Sequence, residues 1–226
     1  MNNYLDRSIS LIGLEAVKKM QDKIIMVIGL GGVGGTALEA LARSGFLNFI
    51  IVDADNVDST NLNRQIMYLE QDVGKAKVDV CENRLKSIST LINVEKHQIF
   101  INKNNIDLFK DKKIDYVVDA IDSVDSKIAI YKFCLERNIP FISSLGMGKR
   151  IDPSSVCVMK LNKTEGDPLA RKIRYECKKQ NINLNDIKVV FSKEAPLNSE
   201  HIISSMIMVP STAGLQIAKE IICSYK

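Results

Sequence analysis

The chain alternates short runs of apolar residues with stretches in which apolar residues recur every three or four positions. The runs predict buried strands and the spaced pattern predicts amphipathic helices. Strands are predicted near 24–29, 48–53, 94–100, 114–119 and 140–144. Helices are predicted near 14–20, 33–44, 74–89, 104–110 and 124–137. This alternation favours an α/β fold with a mostly parallel sheet and helices on both faces.

The rhythm changes after about Lys149. Asp152 and Pro153 mark a turn, and strands are predicted at 156–161 and 187–191 with a polar helical stretch between them. The last apolar segment predicts a strand followed by an amphipathic helix. We therefore expect C-terminal strands and a helix to complete the sheet.

Length and composition indicate a single globular domain. The 226 residues suffice for one large α/β domain, whereas two independent domains would each be small. The apolar segment 202–222 contains serines, a proline and charged residues, so we expect no stable membrane insertion. The net charge is a mild +4, but residues 160–193 contain nine Lys or Arg against four Asp or Glu.

The five cysteines are scattered and odd in number, without a CxxC pair. This pattern, with no signal-peptide pattern at the N-terminus, favours a reducing, cytoplasmic location and argues against structural zinc. Cys177, in the basic segment, is the candidate nucleophile if the chain uses one, although no histidine partner is evident. His97 and His201 stand apart from every motif. Four cysteines are expected in the core: Cys81, Cys134, Cys157 and Cys223.

A glycine-rich turn follows the first predicted strand and contains Gly29, Gly31, Gly32 and Gly34. A buried strand that feeds such a turn and a helix lets the backbone approach a phosphate, and the helix start offers free N–H donors. Asp53, 19 residues beyond Gly34, ends the second strand, where its carboxylate can accept hydrogen bonds from ribose hydroxyls. This Rossmann-like pattern fits NAD as well as ATP.

Three further charged residues favour ATP over a nicotinamide. Arg64 lies eleven residues beyond Asp53, and Lys77 lies thirteen residues beyond Arg64. Two cations near a phosphate cradle suit a triphosphate and the charge that develops as pyrophosphate leaves. Asp122, at the end of the fourth predicted strand, suits Mg²⁺, which takes one or two carboxylates together with phosphate oxygens.

Each of these charged residues also has a simpler interpretation. Arg64 could be a surface salt-bridge partner. Lys77 could lie on the exposed face of its helix, and Lys75 is a rival for its role. Asp122 could simply cap the next helix. A glycine turn after a strand is also common in NAD- and FAD-binding proteins, so a nicotinamide-dependent oxidoreductase remains an alternative, as does a non-catalytic nucleotide sensor.

These residues together resemble the adenylating domain of the ubiquitin-activating-enzyme-like superfamily, the ThiF/MoeB/HesA group. In that superfamily, five positions bind ATP and magnesium for the adenylation of a carboxylate. The matching residues of this chain are Asp53, Asn61, Arg64, Lys77 and Asp122. We assign Asp55 to the same nucleotide site. The superfamily also places an arginine near the N-terminus in the partner subunit's site, and Arg7 matches it, so the resemblance implies a homodimer with shared active sites.

Within the superfamily the chain is most similar to the tRNA threonylcarbamoyladenosine dehydratases. The similarity covers almost the whole length, and the segments after Ile151 discriminate between branches, because the nucleotide motifs are shared. Sulfur-carrier activators typically hold zinc with two CxxC pairs, which this chain lacks. The similar segments include Asn61-Leu62-Asn63-Arg64-Gln65, Val118-Asp119-Ala120-Ile121-Asp122-Ser123, Asp167-Pro168-Leu169-Ala170, Val190-Phe191-Ser192 and Val209-Pro210-Ser211-Thr212-Ala213-Gly214.

The resemblance implies one ThiF-type adenylating domain over residues 1–226, with a nucleotide-binding part at 1–148 and a sheet-completing, substrate-facing part at 149–226. The implied reaction is ATP-dependent adenylation of the threonyl carboxylate of threonylcarbamoyladenosine in tRNA, followed by cyclisation with loss of AMP. The basic stretch 160–193 offers a surface for tRNA phosphates. A sulfur-transfer protein is an additional candidate partner. Activation of a ubiquitin-like sulfur-carrier protein is the alternative within the superfamily.

Overall fold

The computed structural model describes residues 4–197 and 204–226 and arranges them around a seven-stranded sheet. The strands are β1 (Ile24–Ile28), β2 (Asn48–Val52), β3 (Asn93–His97), β4 (Tyr116–Asp119), β5 (Phe141–Ser144), β6 (Val156–Lys160) and β7 (Lys188–Ser192). The α-helices are α1 (Asp6–Ile12), α2 (Leu14–Gln21), α3 (Gly32–Ser44), α4 (Lys77–Ile88), α5 (Val124–Glu136), α6 (Pro168–Lys179) and α7 (Met208–Cys223). The predicted alternation of strands and helices is confirmed.

The strand order is β3-β2-β1-β4-β5-β7-β6, and every pairing is parallel except that of β6 with β7. Ile28, the last residue of β1, pairs with Val52 on one side and Asp119 on the other. The carboxyl ends of β1, β2 and β4 therefore lie level at one edge of the sheet. The segments that follow these strands meet there, which is where ligands bind in such folds.

Alternate residues of β1 feed two separate apolar layers. Ile25 and Val27 belong to the layer that includes α2, α3, α4 and α7, whereas Met26 and Ile28 belong to the layer that includes α5 and α6. Because successive side chains of a strand point to opposite faces, helices cover both faces of the sheet. The expected doubly covered α/β architecture is confirmed.

Two predicted elements are shorter than expected. The helix predicted near 104–110 is a short 3₁₀ helix, Ile106–Phe109, because the side chains of Asn102 and Asn105 accept hydrogen bonds from nearby backbone N–H groups and favour turns. The strand predicted at 94–100 ends at His97. Its neighbour β2 ends at Val52, which is the residue opposite His97, so the ladder has no partner beyond that point.

The chain ends also differ from expectation. Helix α1 was not predicted, because its seven residues show too short an apolar pattern. Within the segment 202–222, the predicted helix is α7, and the described residues 204–207 before it form no strand. The start of that predicted strand lies outside the described residues. No helix in the described ranges combines the length and apolar character needed to cross a bilayer.

Candidate nucleotide-binding site

A cleft of about 730 Å³ opens at the carboxyl ends of β1, β2 and β4. The level strand ends bring together segments that are far apart in sequence, so the glycine turn, Asp53 and Asp122 meet at one crevice. Nine predicted site residues line this cleft: Gly29, Gly31, Gly32, Asp53, Asp55, Asn61, Arg64, Lys77 and Asp122. Two predicted site residues, Gly34 and Arg7, are not among the residues that line it.

The glycine turn requires glycine at two positions. Gly29 has φ +89°, and a Cβ there would lie 2.7 Å from the carbonyl oxygen of Ala120. A Cβ on Gly34 would lie 1.8 Å from the carbonyl oxygen of Gly29. Gly34 therefore lies behind the turn and lets it close, while helix α3 starts at Gly32 with its free N–H groups at the cleft.

Asp53 follows β2 directly, and its carboxylate is fixed by two backbone donors. One oxygen accepts a hydrogen bond from the Leu30 N–H at 2.6 Å, and the other accepts one from the Asp55 N–H at 2.8 Å. The first bond ties the acidic strand end to the glycine turn. Each carboxylate oxygen has a second lone pair, so Asp53 can still accept a ligand hydroxyl.

Residues 58–64 form a capped turn that presents Asn61 and Arg64. The side-chain oxygen of Asn61 accepts a hydrogen bond from the Asp58 N–H at 3.2 Å, which leaves its amide N–H₂ as a donor. The Arg64 guanidinium donates to the Thr60 carbonyl at 2.8 Å and to the Asn63 side-chain oxygen at 2.9 Å. Within the described ranges, it contacts no carboxylate, so its charge is not offset by an acidic partner.

Lys77, not Lys75, is the lysine of the cleft. Lys77 is the first residue of α4, its side chain is only 6% exposed, and its Nζ lies 2.8 Å from the Asp55 carboxylate. Lys75 is 56% exposed and pairs with Asp72. The interpretation of Lys77 as a solvated helix lysine is therefore wrong, because Gly74 and the extended Ala76 turn the start of α4 towards the cleft.

Asp122 is exposed at the rim of the cleft, and its carboxylate makes no hydrogen bond or ion pair with the rest of the described chain. Helix α5 is capped by Ser123, whose hydroxyl accepts from the Ser126 N–H at 3.4 Å, so Asp122 is not the cap. Mg²⁺ is bound in proteins through one or two carboxylates together with phosphate oxygens, and the unpaired Asp122 is a carboxylate of that kind. Residues 4–197 and 204–226 contain no cluster of three or more potential metal ligands.

A buried ion pair braces the segment that carries Asp122. Asp119 and Lys127 are both fully buried, with 2.8 Å between Nζ and the carboxylate, and the Ser143 hydroxyl donates to the same carboxylate at 2.6 Å. Lys127 also contacts the Ser143 hydroxyl at 3.0 Å. The charges compensate each other, and the paired groups fix the end of β4 against β5.

The structure adds residues to the site that sequence reasoning missed. Gln65 is 5% exposed, lines the cleft, and its buried Oε1 has no hydrogen-bond partner in the described chain. An unpaired buried oxygen is costly unless a ligand satisfies it. Gln65 belongs to the Asn61–Gln65 motif, so the sequence could have identified it as a site residue. Ile99, Phe100 and Ile101 form an apolar wall of the cleft. They follow an edge strand and belong to no motif, so the sequence could not have identified them.

Arg7 lies on α1 and is exposed, outside the lining of this chain's cleft. His97 contacts Glu95 at 2.7 Å, and His201 lies outside the described residues.

The cysteines are mostly buried and poorly suited to nucleophilic chemistry. Burial raises the pKa of Cys81 to about 12, and burial together with Glu176 raises the pKa of Cys177 to about 11. Cys134 is buried and Cys157 is half-buried. The expectation of a core position is wrong for Cys223, which is exposed because it lies on the outward face of the last turn of α7, whereas Ile221 in the same turn is buried.

Comparison with known proteins identifies the family. The ThiF family matches residues 5–222. This chain belongs to the ThiF family. Among relatives of this ThiF-family chain, the tRNA threonylcarbamoyladenosine dehydratase of Bacillus subtilis (strain 168) is 36% identical over 95% of the chain and 91% of the relative. The enzyme of the same name from Escherichia coli (strain K12) is 37% identical over 90% of the chain and 74% of the relative.

Solved structures of the E. coli dehydratase also match this ThiF-family chain. The structure of that enzyme in complex with ATP has a TM-score of 0.92 at 34% identity and covers 98% of this chain and 93% of the other. The complex with AMP has the same TM-score at 33% identity and the same coverage. The match over nearly the full length of both chains agrees with the resemblance seen in the sequence.

Proposed function

We propose that this chain is an ATP-dependent dehydratase that acts on threonylcarbamoyladenosine in tRNA. The observation that carries the proposal is the near full-length similarity to dehydratases, one of them solved with ATP. The geometry supports it, because two cations and a free carboxylate line one cleft beside a glycine turn: Arg64, Lys77 and Asp122. In this proposal, the nucleotide that binds in the cleft is ATP and not a nicotinamide cofactor.

The reaction has two steps. In the first, an oxygen of the threonyl carboxylate attacks the α-phosphorus of ATP, and the bond to pyrophosphate breaks. In the second, an internal nitrogen of the modified base attacks the activated carbonyl carbon, loses its proton and expels AMP. The carboxylate oxygen leaves with AMP, so the base loses one water overall. The substrate supplies its own nucleophile, and the protein supplies orientation and charge stabilisation.

Each cleft residue has a role in this proposal. The N–H groups of the turn and of the start of α3 receive phosphate oxygens, and Asp53 accepts a ribose hydroxyl. Arg64 and Lys77 stabilise the charge on the departing pyrophosphate, and Lys77 exchanges its Asp55 contact for phosphate oxygens when ATP binds. Asp122 would hold Mg²⁺, which neutralises phosphate charge when bound.

The proposal extends to partners and location. Arg7 of each subunit would enter the site of the other in a cytoplasmic homodimer. The basic stretch 160–193 would contact tRNA phosphates. We keep the division into a nucleotide-binding part at 1–148 and a substrate-facing part at 149–226 within one domain. A sulfur-transfer protein would dock separately from the cleft.

Release of AMP tests the choice of substrate. With ATP and Mg²⁺, we expect AMP to form with tRNA that carries threonylcarbamoyladenosine, and not with the unmodified transcript or after ribonuclease digestion. Formation of AMP that depends instead on a small carrier protein and resists ribonuclease would contradict the proposal. An oxidoreductase would show thermal protection by NAD in place of ATP.

A further inference from the structure

A second groove lies beside the cleft, between the start of α5 and the exposed face of α6. Tyr175 is 66% exposed there, more than any other aromatic side chain of the described residues. The inner face of α6 is apolar, and the helix carries five Lys or Arg against one Glu. The groove has a volume of about 470 Å³ and is lined by Val124, Asp125, Arg171, Lys172, Tyr175 and Glu176.

Helix α6 is fixed to the wall of the cleft. Its second residue, Leu169, lines the cleft. Asp167 caps α6 and pairs with the buried Arg150 guanidinium at 3.2 Å. The same guanidinium donates to the carbonyls of Gly146 at 2.6 Å and Gly148 at 3.1 Å, and both glycines line the cleft. Tyr175 is six residues from Leu169, or about 9 Å along the helix axis.

We propose that Tyr175, Arg171 and Lys172 form a stacking platform for an unpaired tRNA base next to the modified adenosine. This inference rests on the proposed function, because it names how the same substrate is held. Proteins that recognise single-stranded RNA splay out bases, stack them on aromatic rings and pair the phosphates with cations. The platform combines an exposed ring with two exposed cations in the groove beside the cleft.

The acidic residues of the groove favour a base over a phosphate inside it. Asp125 and Glu176 line the groove together with the two cations, and Glu176 also lies 3.9 Å from Lys179. Their carboxylates repel phosphate oxygens but accept hydrogen bonds from the exocyclic amino group of a base. The phosphates on either side of the base would instead lie outside the groove, against the exposed side chains of Arg171 and Lys172 and of Lys178 and Lys179 further along α6.

Replacement of Tyr175 tests the platform. We expect Tyr175→Ala to raise the KM for modified tRNA about tenfold with kcat nearly unchanged, since stacking is lost. Tyr175→Phe keeps the ring and should restore the wild-type KM. ATP-induced thermal protection should match the wild type in both variants. Leu108→Ala is the matched control, because Leu108 is also 66% exposed and lies outside both grooves.

Three outcomes would overturn the inference. An active wild type with an unchanged KM in Tyr175→Ala would overturn the platform alone. A Tyr175→Ala variant that changes oligomeric state would show that this face is a subunit interface and not an RNA surface. A wild type that binds ATP but does not dehydrate modified tRNA would overturn the proposed function and the platform with it.

Discussion

At the scale of single residues, the two cations of the cleft have surroundings that leave their charges available to a ligand. Lys77 is buried, and among the described residues its ammonium group pairs only with Asp55, whose side chain is 68% accessible. In the proposed ATP complex, a phosphate would replace Asp55 as the partner of Lys77, and the Asp55 carboxylate would turn to water. Arg64 is held by neutral acceptors, so its full charge is available to phosphate. The site thus contains cations that a nucleotide can use without leaving a buried carboxylate unpaired.

Replacement of Lys77 separates the cleft lysine from its neighbour. We expect Lys77→Ala to lower the rate of AMP release by about a hundredfold or more, because it removes a cation from the developing pyrophosphate charge. Lys75→Ala is the control and should stay within about twofold, since its surface pair with Asp72 contributes little. Equal effects of the two substitutions would contradict the assignment.

Sequence reasoning identified most residues of the cleft but not their contacts. Because the glycine turn, Asp53 and Asp122 each lie at the end of a predicted strand, their position at one edge of a parallel sheet could be predicted. The choice between Lys75 and Lys77 depends on where α4 begins, which periodicity does not resolve. The unpaired Oε1 of Gln65 depends on packing around one atom, so only the structure reveals it.

At the scale of elements, the glycine turn and the start of α3 act as one unit with the end of β4. A side chain at Gly34 would meet the Gly29 carbonyl at 1.8 Å and the Ala120 side chain at 3.0 Å. Helix α7 closes the other side, because Pro210 lies 3.0 Å from the position of a Cβ on Gly32. The cradle is therefore fixed by three elements that are far apart in sequence.

We expect Gly34→Ala to destabilise the fold by about 1–3 kcal/mol and to abolish thermal protection by ATP, because the turn must shift. Gly31→Ala provides the comparison. Its added Cβ would have its nearest contact at 3.9 Å, to the Gln65 side chain, so its melting temperature without ATP should stay near the wild type. Differential scanning fluorimetry with and without ATP measures both. Undiminished ATP protection in Gly34→Ala would refute the steric explanation.

Glu39 ties α3 to α4 in a pH-dependent way. Burial raises the pKa of this carboxyl, but hydrogen bonds from Arg84 and Arg43 outweigh burial and hold the pKa below its usual value of 4.5. A lowered pKa in the folded state adds stability that is complete above about pH 4.5 and is lost as the pH falls through the folded value.

We therefore expect Glu39→Gln to lower the melting temperature by roughly 3 °C at pH 7, for a loss of about 1 kcal/mol. The difference from the wild type should shrink as the pH falls below 4.5 and through the folded pKa, because the wild-type carboxyl then becomes protonated as well. Glu15→Gln removes only an exposed pair with Lys18 and should show no such pH-dependent difference. A gap that stays constant with pH would rule out the ionic explanation.

The elements that sequence predicted best are those with an unambiguous period. The buried run of β1 and the spaced pattern of α3 were placed within a residue or two. The helix predicted near 104–110 is only a short 3₁₀ helix, because asparagine side chains compete for backbone hydrogen bonds and this competition leaves no trace in apolar spacing. Strand ends depend on the partner strand, and so β3 is shorter than its apolar run.

At the scale of the whole molecule, the ThiF family and the mostly parallel sheet place a nucleotide cleft at one edge, with α6 and the basic segment beside it. The order of the strands could not be read from the sequence, because pairing is decided by contacts between distant segments. The antiparallel β6 at the sheet edge is an example. The proposed role of Arg7 depends on the formation of a homodimer.

Mixed dimers test whether active sites are shared. We expect Arg7→Ala and Arg64→Ala to be nearly inactive alone, since each removes one cation from every site. When the two chains are co-expressed, half of the dimers are mixed and each mixed dimer has one complete site, so about a quarter of wild-type activity should return. Mixed dimers that form but stay inactive, or a fully active Arg7→Ala enzyme, would contradict shared sites.

The most direct test of the proposed reaction is the mass of the modified nucleoside. The protein is incubated with ATP, Mg²⁺ and tRNA that carries threonylcarbamoyladenosine. The tRNA is then digested, and the masses of its nucleosides are measured by mass spectrometry. We predict a loss of one water from the modified nucleoside, in step with release of AMP, and no change with Arg64→Ala. An unchanged mass from folded wild-type protein that is protected by ATP would contradict the central claim.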